Sequence, residues 1–96
     1  MSIFNCNQRT YVVSSHARKR MFERGEVSMD EAESKCLDLV STGELLLETD
    51  LFRYIRNGDF FFPCKKETLN KLVITTVLRY DNMVKNRFQN IVDMYN

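Results

Sequence analysis

The only histidine of the chain, His16, lies in a cluster of basic residues. Its close neighbours in the sequence are Arg18, Lys19, Arg20 and Arg24. Histidine exchanges a proton near neutral pH, and cationic side chains stabilise the negative charge that develops on a phosphate. Cleavage of an RNA phosphodiester bond without a metal ion requires this combination. The alternative is an ordinary solvated basic helix in which the histidine has no special role.

A second group of candidate residues lies on predicted strands. Single-stranded RNA binds surfaces that combine basic side chains with aromatic rings. The residues that could form such a surface are the cations Arg53, Arg56, Lys65, Lys66 and Arg79 and the aromatic residues Tyr54, Phe60 and Phe61. Charged residues also protect the edge strands of a sheet from aggregation, and this role is the competing explanation.

Thr75 and Thr76 lie on a predicted central strand, where either hydroxyl could hydrogen-bond a phosphate or a base. Threonine is also common in strands because of its conformational preference alone. Cys36 is interpreted as a core residue, and Cys64 has no second histidine that could activate it as a nucleophile. Together with Cys6, these cysteines are odd in number and widely spaced, which argues against a disulfide framework and a zinc site.

The composition is that of a globular protein, with 44% hydrophobic residues among 96 and a net charge of +1. At this length one core must carry the fold, so a single domain over residues 1–96 is expected. The small net charge means that nucleic-acid binding would depend on local clusters. The absence of phosphate-binding and metal-binding motifs predicts no cofactor and no metal. Neither a signal peptide nor a long apolar segment is evident, which predicts a cytoplasmic protein with no membrane partner.

The first helix positions the histidine cluster. A short strand over residues 10–14 precedes this helix, and Gly25 ends it. His16, Arg20 and Glu23 fall on one side by helical spacing. Another side, expected to face the core, holds Ala17, Met21 and Phe22.

Two further helices are predicted. Ser28 and Glu31 form a capping box at the start of one of them. A core-facing stripe follows it at Met29, Ala32, Cys36, Leu39 and Val40. The last helix, over residues 81–95, has an apolar stripe at Val84, Phe88, Ile91, Val92 and Tyr95.

The remaining segments are predicted to be strands, over residues 44–49, 51–56, 59–65 and 71–80. Asn57 and Gly58 favour a tight hairpin turn, in which Arg53 would face Phe62 and share a side with Ile55. Together the elements predict an α+β fold. In it, two N-terminal helices and a C-terminal helix pack on one face of an antiparallel β-sheet of about four strands.

The chain resembles a domain-of-unknown-function family with the pattern H-A-x-x-R-M-x-x-R-G-x-S, followed by a helix and by strands that close on I-T-V. The matching residues are His16, Ala17, Arg20, Met21, Arg24, Gly25, Ser28 and Ile74 to Val77. Glu26 is an additional residue within the pattern. This family is grouped with small ribonuclease toxins of the RelE, BrnT and barnase-like fold. The resemblance implies proton transfer by His16, phosphate contacts from Arg20 and Arg24, and a contribution from Thr75 or Thr76.

These observations predict a metal-independent endoribonuclease or toxin-like domain that acts on RNA. His16, Arg20, Arg53 and Thr76 are the predicted catalytic residues. The predicted nucleic-acid contacts are Arg24, Arg56, Lys65, Arg79 and Tyr54. The alternative is a phage-type or mobile-element binding protein that modulates a host protein or an RNA-processing complex, with a possible homodimer through the C-terminal helix.

Overall fold

The computed structural model describes residues 10–95 of the chain. Its elements, in chain order, are β1 (Thr10–Val13), α1 (Ser15–Arg24), α2 (Met29–Ser41), β2 (Glu44–Glu48), β3 (Phe52–Asn57), β4 (Phe60–Lys66), β5 (Lys71–Ile74), β6 (Leu78–Arg79) and α3 (Asn82–Tyr95). The predicted α+β class with three helices is confirmed. Cys6 and the predicted absence of an N-terminal targeting segment lie outside the described residues.

The six strands form one mixed sheet in the order β1-β5-β4-β3-β2, and β6 pairs with β4. β1 pairs with β5 in parallel, whereas every other pair is antiparallel. The prediction of an antiparallel sheet of about four strands is therefore corrected. The parallel pair joins segments about sixty residues apart, and such a long-range partner leaves no mark in local periodicity.

The predicted hairpin between β3 and β4 forms with a different turn. Asn57 pairs with Phe60, so the turn residues are Gly58 and Asp59 rather than Asn57 and Gly58. Gly58 has a φ of 59°, a left-handed conformation that glycine adopts without strain. Each residue of β3 therefore pairs with the residue of β4 two positions beyond its predicted partner. Because strand side chains alternate with a period of two, Arg53 stays on the predicted face.

The continuous strand predicted over residues 71–80 is interrupted between β5 and β6. The Thr75 backbone N–H and hydroxyl each donate to the Pro63 carbonyl at 3.0 Å. Proline has no N–H, so it cannot return a ladder hydrogen bond. Ile74 and Val77 are three residues apart, yet both lie in the same core, which regular alternation forbids. The chain therefore bulges between them.

Two hydrophobic cores lie on opposite faces of the sheet. α1 and α2 cover one face, and the first core contains Ala17, Met21, Ala32, Cys36, Val40, Ile55, Phe62, Cys64, Leu72, Ile74 and Val77. α3 covers part of the other face, where Tyr54, Phe61 and Phe88 form the second core. The prediction that all three helices share one face is corrected, because β3 and β4 present apolar side chains on both faces.

Two residues predicted to face the core are largely exposed. Phe22 is 45% exposed and Met29 is 40% exposed. On α1 the buried positions are Ala17 and Met21, which are four residues apart. Phe22 lies about 100° further around the helix than Met21, so it falls outside the buried stripe.

Phe88→Ala tests whether α3 belongs to the folded unit. The Phe88 ring is 8% exposed and lies 5.2 Å from the Phe61 ring and 5.3 Å from the Tyr54 ring, centroid to centroid. Removing it should lower the free energy of unfolding by roughly 3–5 kcal/mol in a urea titration. Met83→Ala, at a 64% exposed position of the same helix, should change it by less than about 0.5 kcal/mol. Equal effects of the two substitutions would contradict the packing described.

Candidate functional site

The start of α1 is tied to the end of β5 by Ser14. The Ser14 side chain caps α1 by accepting a hydrogen bond from the Ala17 N–H at 3.0 Å. The same hydroxyl donates to the Thr75 carbonyl at 3.1 Å, and the Ser14 N–H donates to the Ile74 carbonyl at 3.2 Å. The first turn of α1, which carries His16, is thus fixed beside the bulge in the sheet.

The other end of α1 is tied to the same segment by Arg24. Its Nη1 atom donates a hydrogen bond to the Val77 carbonyl. His16, Arg20 and Arg24 follow one another at four-residue intervals, so they lie along one side of the helix. The contacts of Ser14 with Thr75 and of Arg24 with Val77 hold α1 beside the bulge, the segment that contains Thr76. The two halves of the sequence pattern, sixty residues apart, are therefore neighbours in the fold.

Arg79 lies on the same side of the sheet as α1. It pairs with Phe60 across β6 and β4, and the Phe60 side chain packs against the first core. Directly paired residues share a face, so Arg79 projects toward the layer that contains α1. The Arg79 side chain is exposed and follows Val77 by two residues. Arg24, in the last turn of α1, and Arg79 are thus two cations on the helix-covered side of the sheet.

The His16 side chain is exposed, and it forms no hydrogen bond or ion pair with another residue of the range 10–95. The half-buried Thr76 hydroxyl likewise has no hydrogen-bond partner within that range. Arg20 forms an ion pair with Glu23 at 2.9 Å, in which both side chains are 39% exposed. An exposed pair of this kind contributes little free energy, so a phosphate can compete with Glu23 for Arg20.

Arg53 is not part of this group. Its Nη1 donates to the Tyr11 hydroxyl at 2.9 Å, and its Nη2 lies 3.0 Å from Oε1 of Glu48. Lys66 Nζ lies 2.7 Å from the other oxygen of the same carboxylate, Oε2. These contacts direct the guanidinium toward β1 and β2 rather than toward α1. Within the described residues, no hydrogen bond joins Arg53 to His16.

The Glu48 carboxylate receives hydrogen bonds from Lys66 and Arg53, and these lower its pKa to about 2. One carboxylate therefore compensates two cations on the helix-covered face of the sheet. The Nε atom of Arg53 is buried and has no hydrogen-bond partner among residues 10–95. The network holds Arg53, which sequence spacing placed correctly on this face, in contact with Glu48 and Tyr11.

Three predicted RNA contacts lie on the opposite face of the sheet. Tyr54 is buried in the second core, where its ring stacks with the Phe61 ring at 5.9 Å between centroids. The Arg56 guanidinium lies 4.1 Å from the centre of the Tyr80 ring, and its Nε donates to the Gly58 carbonyl. Lys65 is exposed on this face, since it pairs with Phe52 of the second core. The sheet separates Tyr54, Arg56 and Lys65 from His16.

The two cysteines of the described range are buried core residues. Burial raises the pKa of the Cys36 thiol to about 11 and that of the Cys64 thiol to about 12. Both thiols are therefore protonated at neutral pH, when a nucleophilic cysteine would need to be a thiolate.

Residues 10–95 contain no group of three or more His, Cys, Asp or Glu side chains that could hold a metal ion. None of the helices in this range is long and apolar enough to cross a membrane. Comparisons with protein-family models, with curated proteins and with solved structures found no match to this chain. The function is therefore inferred from the residues and their geometry.

Glu48→Gln tests the ion-pair network through the pH dependence of stability. The pKa of Glu48 is about 2 in the folded protein and 4.5 without these interactions. The network therefore stabilises the fold above pH 4.5, and its contribution is lost as the pH falls toward 2. Glu48→Gln should lower the melting temperature at pH 7 and should reduce the decline between pH 4.5 and about 2.

The matched control is Glu44→Gln, at an exposed position of the same strand without an ion pair in the described range. It should retain the decline of the unmodified protein. Identical melting curves for the unmodified protein and Glu48→Gln throughout this pH range would show that the network does not stabilise the fold.

Proposed function

We propose that the protein is a small metal-independent endoribonuclease whose site lies along α1 and the adjacent bulge at residues 75–77. The observation that carries this proposal is the pair of contacts that tie α1 to this segment, from Ser14 to Thr75 and from Arg24 to Val77. These contacts support the proposal because they hold α1, which carries His16, Arg20 and Arg24, beside the segment that contains Thr76. The resemblance to small ribonuclease toxins supports the same residues.

The proposed reaction begins with attack of a ribose 2′-hydroxyl on the adjacent phosphate. His16 accepts the 2′-hydroxyl proton as general base, and the resulting imidazolium returns a proton to the departing 5′ oxygen. The products are a 2′,3′-cyclic phosphate and a 5′-hydroxyl. Arg20 and Arg24 stabilise the added negative charge on the phosphate, and the Thr76 hydroxyl donates to a phosphate oxygen.

Arg79 is proposed to contact a neighbouring phosphate on the same strand of RNA. Arg53, which was predicted to stabilise the transition state together with Arg20, is proposed to support the sheet instead. Its charge is already compensated by Glu48 at 3.0 Å, and its contacts lead away from α1. Tyr54 is proposed to have a packing role because its ring is buried under α3.

His16→Ala tests the enzyme directly. Purified protein should cleave single-stranded RNA in the presence of EDTA and leave a 2′,3′-cyclic phosphate, which mass spectrometry of the products identifies. His16→Ala should reduce the cleavage rate by about 10²–10⁴-fold, the range expected for loss of a general acid–base. The melting temperature should not change, because the His16 side chain is exposed.

Arg18→Ala is the matched control, since Arg18 is an exposed cation of the same helix that lies on another side. It should retain cleavage within a few-fold of the unmodified rate. Full activity of His16→Ala would exclude the proposed mechanism. Absence of cleavage by the correctly folded unmodified protein, on any RNA, would exclude the enzyme.

The second candidate function is a binding module that modulates a host protein or an RNA-processing complex. The observation in its favour is an apolar pocket of about 190 Å³ between α3 and the sheet, lined in part by Pro63, Leu78, Val84 and Ile91. The predicted homodimer through α3 has less surface available than expected. Four residues of the predicted stripe, Val84, Phe88, Ile91 and Val92, pack inside the chain, whereas Tyr95 is exposed together with Met83 and Met94.

A further inference from the structure

The helix layer of α1 and α2 separates positive from negative charge. α1 carries four cations and one carboxylate, and α2 carries four carboxylates and one cation. The net charge of the chain is only +1, so this separation is invisible in the overall composition. The two helices bury their apolar residues in the same core, so they form neighbouring strips of opposite charge on one surface.

Apart from the Arg20–Glu23 pair within α1, the outward charges of this layer form no ion pair with one another in the described residues. Arg18 and Lys19 of α1 are exposed, as are Asp30, Glu33 and Asp38 of α2. None of these five side chains forms an ion pair within residues 10–95. The strips therefore present unsatisfied charge to an incoming partner.

An exposed aromatic ring lies among these charges. Phe22 belongs to α1 and is 45% exposed. It is four residues from Arg18 and three from Lys19, so helical spacing places it beside both. A partly exposed ring beside an arginine has the composition of an interface anchor, because aromatic residues and arginine are enriched at protein interfaces.

We propose that the α1/α2 layer is a docking surface for a second copy of this chain. A twofold axis parallel to the helices places the basic strip of each copy on the acidic strip of the other. Each favourable contact then occurs twice, as in any isologous dimer. Nucleic acid fits the outward face of both helices less well, because a polyanion attracted to α1 would there be repelled by α2; the proposed RNA site lies instead at the flank of α1 beside residues 75–77. A second copy matches both strips with the same spacing.

The small size of the surface predicts a weak dimer. Helices of 10 and 13 residues are about 15 and 20 Å long, and neighbouring helices are about 10 Å apart. The layer therefore offers on the order of 400 Å² per copy, about half of a standard interface. The dimer is accordingly weak and reversible. Its stability depends on charge, and salt weakens it.

Charge reversal combined with mixing tests this interface by sedimentation equilibrium, with protein concentrations up to about 1 mM. One double variant is Arg18→Glu with Lys19→Glu, and the other is Glu33→Lys with Asp38→Lys. The unmodified protein should dimerise at low salt, and its dissociation constant should rise by at least about tenfold in 1 M NaCl. Each double variant alone should be monomeric, because like charges then face each other.

An equimolar mixture of the two double variants should form a dimer again, since both contacts become attractive in the heterodimer. Phe22→Ala should weaken the unmodified dimer by about tenfold or more at both salt concentrations. An unmodified protein that is monomeric at about 1 mM in low salt would overturn the proposal. The same conclusion would follow from variants that still dimerise alone, or from a mixture that does not. Circular dichroism of each variant confirms that it is folded.

Discussion

A single missing N–H group, that of Pro63, shapes the candidate site. Thr75 donates twice to the Pro63 carbonyl, but proline cannot donate in return, so the ladder between β4 and the following strand is interrupted. The chain bulges, and the carbonyls of Thr75 and Val77 are left to accept hydrogen bonds from elsewhere. Ser14 and Arg24 satisfy them, and these two contacts place α1.

The rest of the architecture places different groups of residues on the two faces of the sheet. On one face, α1 and α2 cover the first core, and the network around Glu48 holds Arg53 and Lys66. On the other face, α3 covers a cluster of aromatic rings centred on Tyr54, Phe61 and Phe88. Residues that could serve RNA chemistry at α1 are therefore structurally independent of the α3 side.

Local features of the fold were predictable because they depend on neighbouring residues. Ser28 caps α2 as expected, since the Glu31 N–H donates to the Ser28 hydroxyl at 3.3 Å, and this hydroxyl donates to Oε1 of Glu31 at 2.9 Å. The hairpin was predictable from Gly58, although its register was not. A shift of the turn by one residue alters every pair without altering the pattern of apolar residues. The parallel pairing of β1 with β5 and the placement of α3 depend on contacts between distant segments, which periodicity does not encode.

The candidate site was likewise predictable only where it depends on neighbouring residues in the sequence. His16, Arg20 and Arg24 could be grouped from helical spacing alone. The placement of their helix beside residues 75–77 could not be predicted in this way, because it depends on the hydrogen bonds from Ser14 to Thr75 and from Arg24 to Val77. The burial of Tyr54 could not be foreseen, because a strand with apolar residues on both faces gives no indication of which face a helix covers.

The location of the functional surface can be measured most directly by NMR. A ¹⁵N-labelled sample is titrated with a short single-stranded RNA that carries 2′-methoxy groups and so cannot be cleaved. Chemical-shift changes should concentrate in residues 14–24 and 75–79, with little change around Val84, Arg87 and Ile91 of the α3 pocket. Changes centred on the α3 pocket, or no changes at saturating RNA, would contradict the proposed site.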